Sequence, residues 1–252
     1  MQKVYEKSAS LLPVGNAFCP GCLHGTAFKL VAETIDKFEL REKTAAILPI
    51  GCSTLNMFYG NYDMIVSAHG RAPAVATGYK RCRPDNFVFA YQGDGDLAAI
   101  GLAEIVHCAN RGENITTIFA NNGIYGMTGG QMAPTTLIGQ TATTCQSGRD
   151  FTQTGHPLRM AEIIATLEAP VYVARFALNT PANIMKAKAG IEKAFLNQIE
   201  GRGYSFVELL TNCPTNWGVS SEESLRWITD KSIPYFPLGE FKNCQGGERN
   251  GK

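Results

Sequence analysis

Six apolar runs of strand length, separated by stretches of helical period, constrain this chain more than any other feature. The runs are residues 45–50, 64–67, 87–91, 115–120, 171–176 and 204–210. They read as near-continuous apolar segments, the pattern of strands buried on both faces. Between them, residues 24–38 place Ala27, Val31, Ile35 and Phe38 on one helical face. Residues 96–110 repeat the pattern with Leu97, Ile100, Ile105 and Ala109, and residues 182–198 with Ile184, Ala187, Ile191, Ala194 and Phe195. Strands alternating with helices predict an α/β fold: a doubly wound, mainly parallel sheet with helices on both faces.

Length and charge narrow the rest. At 252 residues the chain suits one sizeable domain, expected over residues 1–236. Residues 237–252 end in Gly and polar residues and are expected to form a disordered or partner-wrapping tail. With 23 Lys and Arg against 22 Asp and Glu, nothing draws the chain to nucleic acid or to an anionic membrane. No run approaches the roughly 18 apolar residues of a membrane span. The first 17 residues show no leader pattern, so a cytoplasmic protein is expected. A charged fraction of 18% fits either a large buried core or a surface covered by partner subunits. Residues 126–157, rich in Gly, Thr, Gln and Ser and without a period, form a loop long enough to suggest function.

Two strand ends carry a metal-type constellation. The run 87–91 leads into Gln92-Gly93-Asp94-Gly95-Asp96, and the run 115–120 into Asn121-Asn122-Gly123-Ile124-Tyr125-Gly126. Ligands bind at the C-terminal edge of such sheets. Gly93 and Gly95 allow the backbone to approach a diphosphate, and the following helix offers free N–H groups. Asp94 offers a carboxylate, Asn122 an amide oxygen, and the backbone near Ile124 a carbonyl, a sparse set suited to Mg²⁺. A strand-to-helix turn with Asp96 as cap would explain the first loop alone. The second loop, 25 residues on, favours a cofactor.

Four of the eight cysteines stand in settings that packing does not explain. Cys19-Pro20-Gly21-Cys22 is a tight turn; Cys52 and Cys213 each follow a predicted strand. Four thiolates meeting there would suit a [4Fe–4S] cluster. Zinc would use the same donors but prefers two close pairs, a reactive dithiol at Cys19 and Cys22 lacks a preceding strand, and inert buried thiols are the third alternative. Cys82 and Cys108, inside helical patterns, are expected to be packed thiols; Cys145 and Cys244 have no assigned role.

Together these motifs resemble the β subunit of the 2-oxoacid:ferredoxin oxidoreductases, closest to the 2-oxoisovalerate type. The matching stretches are residues 18–22, 51–53, 68–72, 91–96, 122–131 and 211–217. The resemblance implies thiamine diphosphate, Mg²⁺ and one [4Fe–4S] cluster. It implies CoA-dependent oxidative decarboxylation of a 2-oxoacid to an acyl-CoA and CO₂, with electrons passing through the cluster to ferredoxin. By the same resemblance Asp94, Asn122 and the Ile124 carbonyl hold Mg²⁺, and Cys19, Cys22, Cys52 and Cys213 hold the cluster. Gly51, Cys52, Ser53, His69, Gly93, Gly95, Asp96, Gly126, Met127 and Thr128 join them around the cofactor. Arg71 is expected to aid the diphosphate or meet a partner, and Glu104 to face sheet or solvent. No catalytic acid is assigned, because the family takes its activating glutamate from an α subunit. Further partners are γ and ferredoxin-like δ subunits, ferredoxin, coenzyme A and the 2-oxoacid.

The substrate is signalled only by the rim of the expected pocket. No lysine stands near Gly129, a feature of family members that take 2-oxoglutarate, and Met127 is adaptable and apolar. Both point to a branched-chain acid such as 2-oxoisovalerate, or an aromatic one, with 2-oxoglutarate or pyruvate as alternatives. A cluster- or zinc-bearing electron-transfer subunit is the alternative of another class.

Overall fold

The computed structural model describes residues 5–244. In chain order the elements are α1 (His24–Lys37), β1 (Thr44–Leu48), β2 (Asp63–Val66), α2 (Ala72–Cys82), β3 (Phe87–Gly93), α3 (Leu102–Asn110) and β4 (Thr116–Asn121). A small hairpin, β5 (Ile124–Tyr125) and β6 (Gln131–Met132), precedes α4 (Phe151–Thr154), α5 (Met160–Ala165), β7 (Tyr172–Ala177) and α6 (Pro181–Ile199). The chain continues through β8 (Ser205–Leu210), α7 (Pro214–Trp217), α8 (Ser221–Trp227), α9 (Ile233–Tyr235) and β9 (Gly239–Asn243).

The main sheet runs β2-β1-β3-β4-β8-β7-β9. Every pairing is parallel except β7 with β9. Alternation within each strand divides the interior in two. Phe87, Phe89 and Tyr91 of β3 point into one core, with Phe28, Ile35, Ile191 and Phe195 of α1 and α6. Val88 and Ala90 point into the other, with Ile105 of α3 and Met160 and Ile164 of α5. Each Phe buried this way contributes about 1.5–3 kcal/mol. Two-sided burial is why these strands lack polar alternation, and the expected α/β architecture is observed.

Three boundaries differ from expectation. Pro49, which has no N–H for a ladder, follows the last residue of β1, so that strand stops short of residue 50. The helix expected from Asp96 opens as a π-helical turn, Gly95–Ile100, in which Gly101 N donates to Asp96 O at 2.8 Å. Such turns are rare and concentrate at functional sites. The tail expected from residue 237 instead begins with β9, an antiparallel edge strand on β7. Its burial is modest and its alternation short, so the ladder with β7, not the local pattern, orders it. Residues 245–252 lie outside the described residues.

A buried ion pair ties the far strands together. Arg175 of β7, with no exposed surface, pairs with the equally buried Glu208 of β8 at 2.9 Å and with Glu162 of α5. Its guanidinium also donates to Pro237 O at 3.1 Å. Glu208 in turn accepts from Asn121 Nδ2 at 2.8 Å, at the end of β4. Removing either partner would strand a charge in the interior.

Candidate active site

Strand order decides the site. β1, β3, β4 and β8 are consecutive in the sheet although not in the chain. Their C-terminal ends carry Cys52, Asp94, Asn122 and Cys213 respectively, so all four loops emerge side by side. One cleft collects Gly51, Cys52, Ser53, His69, Gly93, Asp94, Gly95, Asp96, Asn122, Ile124, Gly126, Met127 and Thr128, the residues expected around the cofactor, while Cys19, Cys22 and Cys213 are not among its lining. His24, Ile50 and Tyr125 complete the lining.

Asp94 sits at the floor, fully buried. Its Oδ1 accepts from Gly95 N at 2.8 Å; its Oδ2 accepts from Ile124 N at 3.1 Å and from Thr135 Oγ at 2.7 Å. Burial nevertheless pushes its pKa up to about 6 against the pull of these donors. Asn122 Oδ1 also accepts from Ile124 N, at 3.1 Å. The carboxylate and the amide oxygen therefore meet at a single N–H, which brings the two hard donors of the second and third loops to one point.

Asp96 does not cap a helix. Its Oδ1 lies 2.6 Å from His69 Nδ1 and accepts from Gly70 N at 2.7 Å; its Oδ2 accepts from Gln92 Nε2 at 2.5 Å. The carboxylate thus fixes the turn that carries His69 to the cleft. Tyr125 donates to Gly95 O at 3.0 Å, joining the hairpin to the first loop.

The four cysteines converge beside the cleft as free thiols. Burial pushes Cys52 up to about 12, and the neighbouring Cys213, Cys22 and Cys19 thiols and Asp94 add to the rise. Cys22 is pushed up to about 11, again by burial first, with Cys213 and Cys19 contributing. Gly126 passes between two of the sulfurs: a Cβ there would stand 3.3 Å from Cys52 Sγ and 3.4 Å from Cys213 Sγ. Among the described residues, no three His, Cys, Asp or Glu side chains form a cage for a single metal ion.

Asparagines hold these segments in place. Asn212, fully buried, accepts from Leu23 N at 2.9 Å through Oδ1. Its Nδ2 donates to Gly21 O at 3.0 Å and Ser224 Oγ at 2.7 Å. Gly21, at φ 75°, lies so close to Ser221 that a Cβ would be 1.9 Å from its hydroxyl oxygen, so only glycine fits the turn. Asn216, on α7, reaches Gly126 O and Cys213 Sγ.

Other side chains around the cleft also find their places. His24 is a buried wall of the cleft, with Nδ1 2.7 Å from the Tyr91 hydroxyl and its pKa pushed down to about 4 by burial. Glu104 is partly exposed, pairs with Arg71 and does not line the cleft. Cys82, expected to be packed, is exposed at the end of α2, whereas Cys108 is buried. Cys145 packs beside Cys213, Ile124 and Ala142. Sequence reasoning passed over Thr135, Asn212 and Asn216. The signal for the last two was their position on either side of Cys213; Thr135 had none, lying 41 residues from its partner Asp94.

Comparison with known proteins settles the family. The family described as thiamine pyrophosphate enzyme, C-terminal TPP binding domain, matches residues 49–209. The 2-oxoglutarate synthase subunit KorB of Methanocaldococcus jannaschii is 36% identical, over 93% of this chain and 84% of its own length. The chain belongs to the 2-oxoacid oxidoreductase family of thiamine pyrophosphate enzymes. Within this family the ketoisovalerate oxidoreductase subunit VorA of Methanothermobacter marburgensis is 43% identical over 96% of this chain. That match covers 51% of VorA, so the chain spans about half the length of the VorA relatives it matches. The structure of the 2-oxoglutarate:ferredoxin oxidoreductase from Magnetococcus marinus, with 2-oxoglutarate, coenzyme A and succinyl-CoA bound, superimposes with a TM-score of 0.80 at 28% identity. The alignment covers 97% of this chain and 87% of that one. The family domain identifies the cofactor as thiamine diphosphate. No helix among the described residues is long and apolar enough to cross a membrane.

Proposed function

We propose that this chain is the thiamine diphosphate-binding, cluster-bearing subunit of a CoA-dependent 2-oxoacid:ferredoxin oxidoreductase, acting on a branched-chain acid such as 2-oxoisovalerate. The observation that carries the reading is the meeting of the hard-donor pair, Asp94 and Asn122, with the four thiols on one sheet edge, with Gly126 between them.

The residues fit the groups they would hold. Asp94, Asn122 and the Ile124 carbonyl would hold Mg²⁺; a cation beside Asp94 offsets the burial that raises its pKa. Cys19, Cys22, Cys52 and Cys213 would hold a [4Fe–4S] cluster. Zinc prefers two close pairs of thiolates, whereas here one close pair, Cys19 and Cys22, is joined by two cysteines from separate strand ends. Gly126, with no side chain, leaves room for the cluster against the sulfurs.

Thiamine diphosphate, when bound, would supply the carbon nucleophile and electron sink for loss of CO₂, and a cluster held by Cys19, Cys22, Cys52 and Cys213 would supply one-electron acceptance. The protein's part is placement. Asp96 aims His69 at the diphosphate side of the cleft, and the Gly93–Gly95 loop lets the backbone approach it. Met127, 47% exposed at the rim, offers an apolar contact to a branched side chain. The cleft measures about 90 Å³, well below the roughly 300–1,000 Å³ of sites that enclose a ligand alone. A cleft of this size suits a site completed by an α subunit that also brings the activating acid, with γ, δ and ferredoxin as electron partners. Ile50, an exposed apolar side chain, lines the cleft.

The test is anaerobic co-expression with an α subunit, followed by viologen reduction with CoA and each of 2-oxoisovalerate, 2-oxoglutarate and pyruvate. The reading requires thiamine diphosphate, about four irons per chain and the highest kcat/KM for 2-oxoisovalerate. Preference for 2-oxoglutarate would overturn the substrate; absence of iron would overturn the cluster.

A further inference from the structure

Asn216 stands where the cofactor loop meets the cysteines, and its amide nitrogen has two acceptors. One Nδ2 hydrogen serves Gly126 O at 2.8 Å, the other Cys213 Sγ at 3.3 Å. The side chain packs over Gly130, where a Cβ would stand 3.1 Å from Asn216 Oδ1. Its backbone is equally constrained: Pro214 opens α7, and Trp217 N donates to Cys213 O at 2.9 Å. Loop, helix and sulfur thus share one amide group.

An N–H donor aimed at a thiolate withdraws electron density from it. The reduced cluster carries one more negative charge than the oxidised one, so the donor stabilises the reduced state more and raises the potential. The half-buried setting strengthens the effect by lowering the local dielectric. The second hydrogen bond sets where Gly126 passes the same sulfur, linking the thiamine side of the site to the iron side through a single residue.

We propose that Asn216 is the positioning residue that sets the cluster's reduction potential, by donating to the Cys213 thiolate while tethering the Gly126 loop. The proposal rests on the reading of Cys19, Cys22, Cys52 and Cys213 as cluster ligands.

The test uses the complex purified anaerobically with its partner chain. Cluster reduction is followed by electron paramagnetic resonance during potentiometric titration, with iron counted in parallel. Asn216→Leu, which keeps the bulk and removes the donor, is expected to raise the oxidised-to-reduced ratio about tenfold at the wild-type midpoint, a shift of about 59 mV downward for one electron. Asn216→Asp, nearly the same shape with an added negative charge, is expected to shift further in the same direction, and it decides the matter if the leucine variant does not fold. A purely structural asparagine would lower iron content or melting temperature without this ordering. Wild-type iron with unshifted potentials in the variants would overturn the proposal alone. Absence of iron from the wild-type complex would overturn the ligand reading and the proposal with it.

Discussion

Asn212 donates its side-chain amide to the Gly21 carbonyl at 3.0 Å, joining residues 191 positions apart in the chain. The same side chain accepts from Leu23 N, so it grips the Cys19–Cys22 turn at two points while standing next to Cys213. Asn212→Ala leaves Gly21 O, Leu23 N and the Ser224 hydroxyl without this partner. Each buried group left unsatisfied costs about 1–3 kcal/mol. Chemical denaturation should show a loss of several kcal/mol, and iron per chain should fall. Unchanged iron in a destabilised variant would separate the fold's need for Asn212 from the site's.

Asp94→Asn should abolish retention of thiamine diphosphate, measured by fluorescence after oxidation to thiochrome. Stability should change little, because the buried carboxylate is already unfavourable when charged. Amide and carboxylate have the same shape, so a loss of about 1 kcal/mol, set by one exchanged hydrogen bond, is expected. Iron content should remain. Full cofactor retention in this variant would remove Asp94 from the metal-holding set.

A methyl group at Gly126 should act as a wedge. At 3.3 Å and 3.4 Å from two sulfurs it has no flexible neighbour to displace once those sulfurs bind a cluster. Gly126→Ala should lower iron per chain with the thermal midpoint of the apo chain preserved. Normal iron would mean that the loop moves aside.

Cys213→Ser should lose the cluster's absorbance near 400 nm, whereas Cys145→Ser should keep it, although Cys145 packs against Cys213. If the two variants behave alike, the fourth ligand has been misassigned.

Far from the cysteines, Arg175→Leu should be among the most damaging substitutions. It leaves Glu208 buried without its cation, at a cost of about 3–5 kcal/mol. Because Glu208 also holds Asn121 beside Asn122, affinity for thiamine diphosphate should weaken together with stability. An unaltered dissociation constant in a destabilised protein would show that the two ends of this network are uncoupled.

The sheet was legible because its cause is local. Runs such as residues 87–91 are apolar throughout, and the alternating destinations of Phe89 and Val88 in two cores follow from the pleat. The strand β9 was not legible, since Gly239–Asn243 has little apolar character and owes its order to pairing with β7. The π-helical opening at Gly95 was hidden for a similar reason: its helical period does not differ visibly from that of an α-helix over six residues.

At the site, the chain's own order of residues determined which chemistry was present: two hard-donor loops after apolar strands, and four cysteines in turn or strand-end settings. Residue type and spacing carry that information because glycine turns, carboxylates and thiols act through short-range bonding. Only the tertiary structure decided that these groups meet. β8 inserts beside β4, not after β7, and that pairing brings Cys213 to Gly126 and Asn216 to the Gly126 carbonyl. The partners of Thr135, Asn212 and His24 were decided there too, because a buried hydrogen bond depends on which strands adjoin, and adjacency is set by packing over the whole sheet.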